Sequence, residues 1–457
     1  MKKLFAAMMA LCMALAPLSA LAEELVMFAN AYSSTMNEAF QEAHPEVTIR
    51  TNFDADPPVQ FDQVLMDLVS RNYVYDLFNL WFSGGQARRL SDRLYLVDLG
   101  QSEVIRGAVE QLPEAIRSRV TNDKGEIFAL PYTMEAQWGL MGFNTAAGEA
   151  LGIEKPQTWE DFLNLLANWE YDYADEAEQL GLYLTYDDIS LSPRRLFLRM
   201  FDEYVVGHAD GRRISFATPT FTALMALFDG RRAMLADLYD RLPHLQGSLP
   251  PWDRQLIVFN LPLLMDVDDA ERYAAFEPMP LSVTADPAEA VIPVDMMTLS
   301  VSGGAPHADL AMTYAETLAS SMDPMARILF AGGADDTPVE REDYASTARF
   351  YERQIAATEM AVEDEGETPE LMEELEQYRL EQADNERMRY RFSGESIRSY
   401  AALAPYLRPM PPIGYEYFSA QQNTAYFLAA FESGEMPVDQ FIREFEQVQS
   451  MMMLEDE

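Results

Sequence analysis

The chain has 457 residues, 49% of them hydrophobic, which is enough for two or three domains with sizeable cores. Its 75 acidic residues outweigh 33 basic ones, and the net charge of −42 excludes nucleic acid and anionic membranes as partners. A single cysteine, Cys12, excludes a disulfide framework.

The first element reads as an export signal. Lys2 and Lys3 precede an apolar run from Leu4 to Ala16, Pro17 breaks it, and Ala20 and Ala22 are the small residues that predict cleavage after Ala22. The run is too short to span a membrane, which takes about 20 apolar residues. Cys12 follows Met9-Ala10-Leu11 and lacks the small residue that a lipoprotein signal places before its cysteine. The mature chain is therefore expected to be exported, not lipid-anchored and free of thiols. Its excess of acid gives a solvated, self-repelling surface, or else one that attracts a cationic ligand.

Past the signal, Leu25 to Ala29 is a short apolar strand, and Met36, Phe40 and Ala43 repeat at helical spacing before Pro45. Val47 to Asn52 reads as a second strand, Phe61 to Ser70 as a helix carrying Phe61, Val64, Leu65 and Leu68, and Tyr75 to Leu80 as a third strand. This β-α-β-α-β order predicts a parallel sheet with covering helices, whose ligand crevice lies beyond the carboxyl ends of the strands.

From Gly125 to Phe162 the pattern changes. An apolar run stops at Leu130-Pro131-Tyr132, a second strand follows from Trp138 to Phe143, Asn144 opens a helix, and Thr158-Trp159-Glu160-Asp161 starts another with Thr158 as its N-cap. Trp159 to about Arg254 reads mostly as helix, with Phe162, Leu165, Leu166 and Trp169 on one face. Gln255 to Leu261 and Val291 to Ser300 are the next strands, and a helix runs from His307 to about Ser320. Glu340 to Val362 and Leu371 to Arg389 form two charged helical patterns around an acidic linker, Glu363 to Pro369, which predicts an antiparallel hairpin.

Signatures of catalysis and of cofactors are lacking. His44, His208, His244 and His307 stand singly with no His-Glu-x-x-His spacing, and there is no Gly-x-Ser-x-Gly elbow or P-loop, so no metal and no cofactor is expected. Carboxylate pairs such as Asp187-Asp188 and Asp268-Asp269 leave a secreted glycoside hydrolase as a minor alternative.

The order Gly-x-x-x-x-x-Pro-Tyr from Gly125, then Glu135-Ala136, an apolar strand ending in Phe143-Asn144, and Pro156-Gln157-Thr158-Trp159-Glu160-Asp161-Phe162 resembles the extracellular solute-binding proteins of ABC importers, family 1, the maltose-binding-protein-like group. The resemblance of order covers nearly all of the mature chain outside the hairpin. It implies a periplasmic-binding-protein-like α/β fold, two lobes with a hinge and an interlobe ligand cleft, with the hairpin as an insertion. It implies boundaries of 1–22 for the signal, 23–133 for the first lobe and 134–262 for the second. Residues 263–334 would return mainly to the first lobe, and 335–457 would pack on the second, with the hairpin at about 340–390.

Aromatic rings at strand ends near such crossings offer flat faces to sugar C–H groups or cations, while carboxylates and amides fix orientation. The candidates are Trp81, Tyr132, Glu135 and Trp138. The resemblance adds Asn30 after the first strand, Trp81 after the third, Glu135 as the sugar-contacting glutamate and Asn260 before the proline of the return segment. Asp295 joins them because it interrupts an apolar run. Trp252 reads as loop packing. Other stacking positions of the family are occupied by Leu263 and Gln421, Tyr32-Ser33-Ser34 replace its first charged pair, and no Asp-Arg follows Trp81, all of which disfavours maltodextrin.

The implied function is non-enzymatic: a monomeric periplasmic or extracellular protein that delivers a small solute, foremost a carbohydrate, to the membrane permease subunits of an ABC transporter. A cationic solute, polyamine or basic peptide, is the alternative.

Overall fold

The computed structural model describes residues 24–29, 35–54, 59–186, 189–209, 214–241, 251–411 and 429–455. The signal segment, Asn30, Tyr32-Ser33-Ser34, Asp187-Asp188, His244 and Gln421 lie outside the described residues. In chain order the strands are β1 (Glu24–Ala29), β2 (Thr48–Thr51), β3 (Leu77–Trp81), β4 (Leu130–Ala136), β5 (Leu140–Asn144), β6 (Ile257–Leu261), β7 (Phe276–Pro278), β8 (Ile292–Val301), β9 (Val339–Glu340), β10 (Tyr390–Phe392) and β11 (Leu407–Pro409). The longer helices are α1 (Thr35–Ala43), α2 (Phe61–Val69), α3 (Trp159–Asp172), α4 (Pro193–His208), α5 (Pro219–Arg241), α6 (Ala308–Ser320), α7 (Tyr344–Glu365), α8 (Pro369–Arg387), α9 (Gly394–Leu403) and α10 (Val438–Glu455).

Two compact units divide the chain. One holds the described residues up to Thr133 together with Met296–Asp323; the other holds Met134–Asp295, Pro324–Pro411 and the C-terminal helix. The chain therefore passes from one unit to the other within β4 and back within β8.

In the first unit β1 pairs in parallel with β2, Glu24 opposite Thr48, and with β3, Met27 opposite Leu77. Each parallel step needs a crossover, and α1 and α2 supply it. The helix α2 buries Phe61, Val64 and Leu68 of the stripe read from the sequence and leaves Leu65 half-buried. On the far side of β3 lies β8, antiparallel, with Trp81 opposite Met297. All ten residues of β8 are buried, as befits a strand covered on both faces. The fully buried Asp76 carboxylate accepts from Val26 N at 2.9 Å and from His307 N at 2.9 Å, tying β1 and the start of α6 to the start of β3.

The second unit is built on the antiparallel sheet β6-β5-β7. Asn144 ends β5 and caps the next helix: its Oδ1 accepts from Ala147 N at 3.1 Å, while its Nδ2 donates to Asp253 O at 2.8 Å. Thr158 and Asp161 form a reciprocal capping box at the start of α3, each side chain accepting from the other's backbone N–H at 3.1 Å. Ser192 caps α4 and Pro193 occupies its first turn, so the phase of that helix is set at its start. Phe197, Phe201, Phe228, Phe431, Phe441 and Phe445 form an aromatic core that fixes α4 and α5 against α10, with Phe431 and Phe441 stacked at 4.3 Å.

One expected boundary is corrected. Residues 263–295 stay in the second unit, because β7 pairs with β5, Phe143 opposite Glu277. The return comes only at Met296, partway along β8, and 324–334 again belong to the second unit. The hairpin is present as α7 and α8, but its start is delayed to Tyr344 because Val339–Glu340 is drawn into a ladder with β10.

Candidate functional site

The first unit offers one group. Trp81 closes β3 at its carboxyl end and is half-buried, followed by the turn Phe82–Gly84 and by Gly85 at φ 68°. Two residues earlier on the same strand, Asn79 Oδ1 accepts from the Tyr132 hydroxyl at 2.7 Å. Tyr132 is thus fixed by its own unit, and burial pushes its phenol above the ordinary range.

The second unit offers a denser one, around the turn Trp138-Gly139 between β4 and β5. Glu135, two residues into this unit, is exposed; its carboxyl is nevertheless held above the ordinary range, first by desolvation and then by the Asp295 carboxylate. Asp295 is 5% exposed. Trp138 is half-buried, and its indole N–H donates to Asp202 Oδ2 at 2.6 Å while the Arg195 guanidinium lies over its ring at 5.6 Å. Gly139 has φ 75° and packs on Asn260, whose exposed side chain borders the turn. Glu135, Trp138, Asn260 and Asp295 therefore gather in one unit, whereas Trp81 and Tyr132 belong to the other. Asn30 lies outside the described residues. Trp252 packs edge-on against Tyr273 at 5.6 Å, a loop contact.

Four residues of this group escaped the sequence reading: Arg195, Arg199, Asp202 and Glu203, all on α4. Arg199 donates to the carbonyls of Trp138, of Gly139 at 3.1 Å and of Phe259 at 3.2 Å. Burial pushes the Asp202 carboxyl up to about 7, against the opposing hydrogen bond from Trp138 and with help from Asp295. Burial likewise pushes Glu203 up to about 8, against the hydrogen bond from the Trp159 indole and the charge of Arg199. The available signal was phase: Arg199 and Glu203 fall among Leu196, Phe197, Met200 and Tyr204, where an amphipathic surface helix carries no charge. Beneath the turn a cavity of about 20 Å³, lined by Trp138, Arg199, Glu203 and Met279 among others, has room for about one water. Among the described residues no three His, Cys, Asp or Glu side chains converge on a metal position, and no helix is long and apolar enough to cross a membrane.

A ring, two acids and an amide at one turn can orient a small polar molecule; they present no nucleophile paired with a base. Comparisons with known proteins agree in kind. Residues 26–190 match the family described as bacterial extracellular solute-binding protein. No curated protein sequence matches the chain. Among solved structures, one reported for xylan utilization by Caldanaerobius polysaccharolyticus is 13% identical, with a TM-score of 0.53 over 93% of this chain and 99% of that one. A candidate oligosaccharide periplasmic-binding protein from Synechococcus is 15% identical, TM-score 0.52, over 94% and 98%. The maltose-bound MalE3 of T. maritima is 11% identical, TM-score 0.51, over 94% and 100%. Residues 26–190 are thus similar to the bacterial extracellular solute-binding proteins, and the fold of the chain is that of the periplasmic binding proteins.

Proposed function

We propose that the protein captures a small carbohydrate outside the cytoplasm and delivers it to the permease subunits of an ABC transporter. The observation that carries this reading is the Trp138-Gly139 turn, where a half-buried indole stands with the exposed Glu135 carboxylate and Asn260 amide. Such a set suits a sugar: a flat apolar face for C–H groups, and acceptors and donors for hydroxyls. Trp81, Tyr132, Asp295 and Asn30 are proposed as solute contacts on the resemblance and residue chemistry given above. The solved structures of similar fold include proteins named for maltose and for oligosaccharides. Cleavage after Ala22, a soluble mature chain without a lipid anchor, and a monomeric state belong to the same proposal.

A cationic solute fits less well. The Arg195 guanidinium lies over the ring of Trp138 and Arg199 places a second positive charge behind the same turn, so a cation there meets like charge that a neutral sugar does not. A thermal-shift panel of xylo- and malto-oligosaccharides, tagatose, spermidine and arginine-rich peptides tests the choice. A ligand that binds only the folded state stabilises it by about 2.7 kcal/mol at a hundred times its Kd. An oligosaccharide should raise Tm, and Trp138→Ala or Glu135→Ala should abolish the rise while the free proteins still melt cooperatively. A rise with spermidine alone would overturn the sugar reading.

A further inference from the structure

Three side chains of α4 grip one tryptophan. Arg195, Arg199 and Asp202 stand at i, i+4 and i+7, hence on one helix face. Arg195 covers the ring of Trp138 at 5.6 Å, Asp202 holds its N–H at 2.6 Å, and Arg199 binds the carbonyls of Trp138 and Gly139. Ring face, ring edge and backbone are all held from the same helix. Ordinary packing does not need this: Arg199 is 5% and Asp202 4% exposed, and apolar side chains of similar volume would fill the space without desolvating two charges. What the polar grip supplies is direction, since an indole with its N–H fixed at 2.6 Å cannot turn over.

Asp202 also stands within the field of other acids. Asp295 faces it from β8, Glu203 follows it on α4 and is countered by Arg199, and Glu135 on β4 feels Asp295 in turn. A change of charge at the exposed Glu135 is thereby passed through Asp295 to the group that holds the ring.

We propose that Asp202 is the positioning residue of the solute site: it fixes the plane of the Trp138 indole against which the sugar packs, and it links that ring to the proton occupancy of the Glu135, Asp295 and Asp202 carboxyls. This rests on the reading of Trp138 as a solute contact. A solute hydroxyl that donates to Glu135 favours its charged form, and coupling through Asp295 returns at most part of the proton so released to Asp202. Binding should therefore release protons on balance, and by linkage affinity should rise with pH.

Two readouts separate this from a packing role. The first needs no solute: the indole N–H resonance of Trp138, assigned by its loss in Trp138→Phe, is followed by ¹⁵N NMR from pH 5 to 9. In the native sequence it should move with a midpoint near 7, the value to which burial raises Asp202. In Asp202→Asn, which keeps an acceptor but cannot ionise, it should stay fixed. The second is calorimetric titration with xylotriose and maltotriose. The native Kd should tighten between pH 6 and 8.5, Asp202→Asn should change that dependence while still binding, and Asp202→Leu should lose about tenfold or more in affinity. An indole signal that titrates alike in the native and Asn proteins overturns the proposal, as does an unchanged Kd in Asp202→Leu. Failure of the native protein to bind either sugar, with the indole titration as expected, overturns the sugar reading and confines Asp202 to positioning the ring.

Discussion

At Gly139 the backbone leaves no room for a side chain. Its φ is 75°, and a Cβ would lie 2.5 Å from the Phe259 carbonyl oxygen and 2.8 Å from Asn260 Oδ1. Gly139→Ala should therefore cost roughly 1–3 kcal/mol in strain and displacement, measured by urea or thermal unfolding, and should weaken sugar binding because Trp138 precedes it. Gly152 is the control: its φ is similar, 67°, but nothing lies within 4 Å of its Cβ, so Gly152→Ala should cost only about 1 kcal/mol and leave binding intact. The same turn shows what a sequence yields at the residue scale. Glu135, Trp138 and Asp295 were legible because each is out of place chemically: an acid or a ring beside a crossing, a carboxylate inside a strand. Their supports were not. Asp202 and Arg199 matter through partners about 60 residues away, and no local pattern announces a hydrogen bond between Trp138 and a helix that starts at Pro193.

Among elements, the hairpin is the most legible and the least integrated. Tyr344, Ala348, Tyr351, Ile355 and Val362 on α7 and Leu371, Leu375 and Tyr378 on α8 are the less exposed positions of two helices that pack together, and such a 3.6-residue period needs no distant partner to be recognised. Only Thr358, Leu375 and Asn385 of the two helices are fully buried, and the base is closed by the β9–β10 ladder and by Arg341 N donating to Arg389 O at 2.9 Å. Replacing residues 342–388 by an Asn-Gly turn should therefore leave the two-strand ladder able to form. The deletion variant should fold, melt within a few degrees of the parent by calorimetry and bind sugar with unchanged affinity; loss of cooperative unfolding would show that the hairpin braces the second unit. Elements without local periodicity were the ones misjudged. The strand β7 has three residues, too few to alternate, and its place in the second unit is dictated by its register with β5, which only the folded chain displays.

For the whole molecule the governing quantity is proton occupancy. In the folded state Asp202 and Glu203 ionise near 7 and 8, against ordinary values of 3.8 and 4.5. Between those limits the folded chain holds protons that the unfolded chain has released, so the two groups stabilise the fold fully below about pH 4 and lose that contribution as pH rises through 7 and 8. The stake is on the order of a few kcal/mol. Overall charge acts in the same direction: with 75 acids against 33 bases, self-repulsion grows as carboxylates ionise. Calorimetric Tm should therefore be higher at pH 5 than at pH 8.5. Salt separates the causes, because it screens the exposed surface charges far more than a buried pair. In high salt the native protein should keep a decline in Tm from pH 6 to pH 8.5, and the double variant Asp202→Asn, Glu203→Gln should melt at nearly the same temperature across that range. A native Tm that is flat in high salt would assign the whole pH dependence to the surface and leave the α4 carboxyls ionised, held by their indole and guanidinium partners.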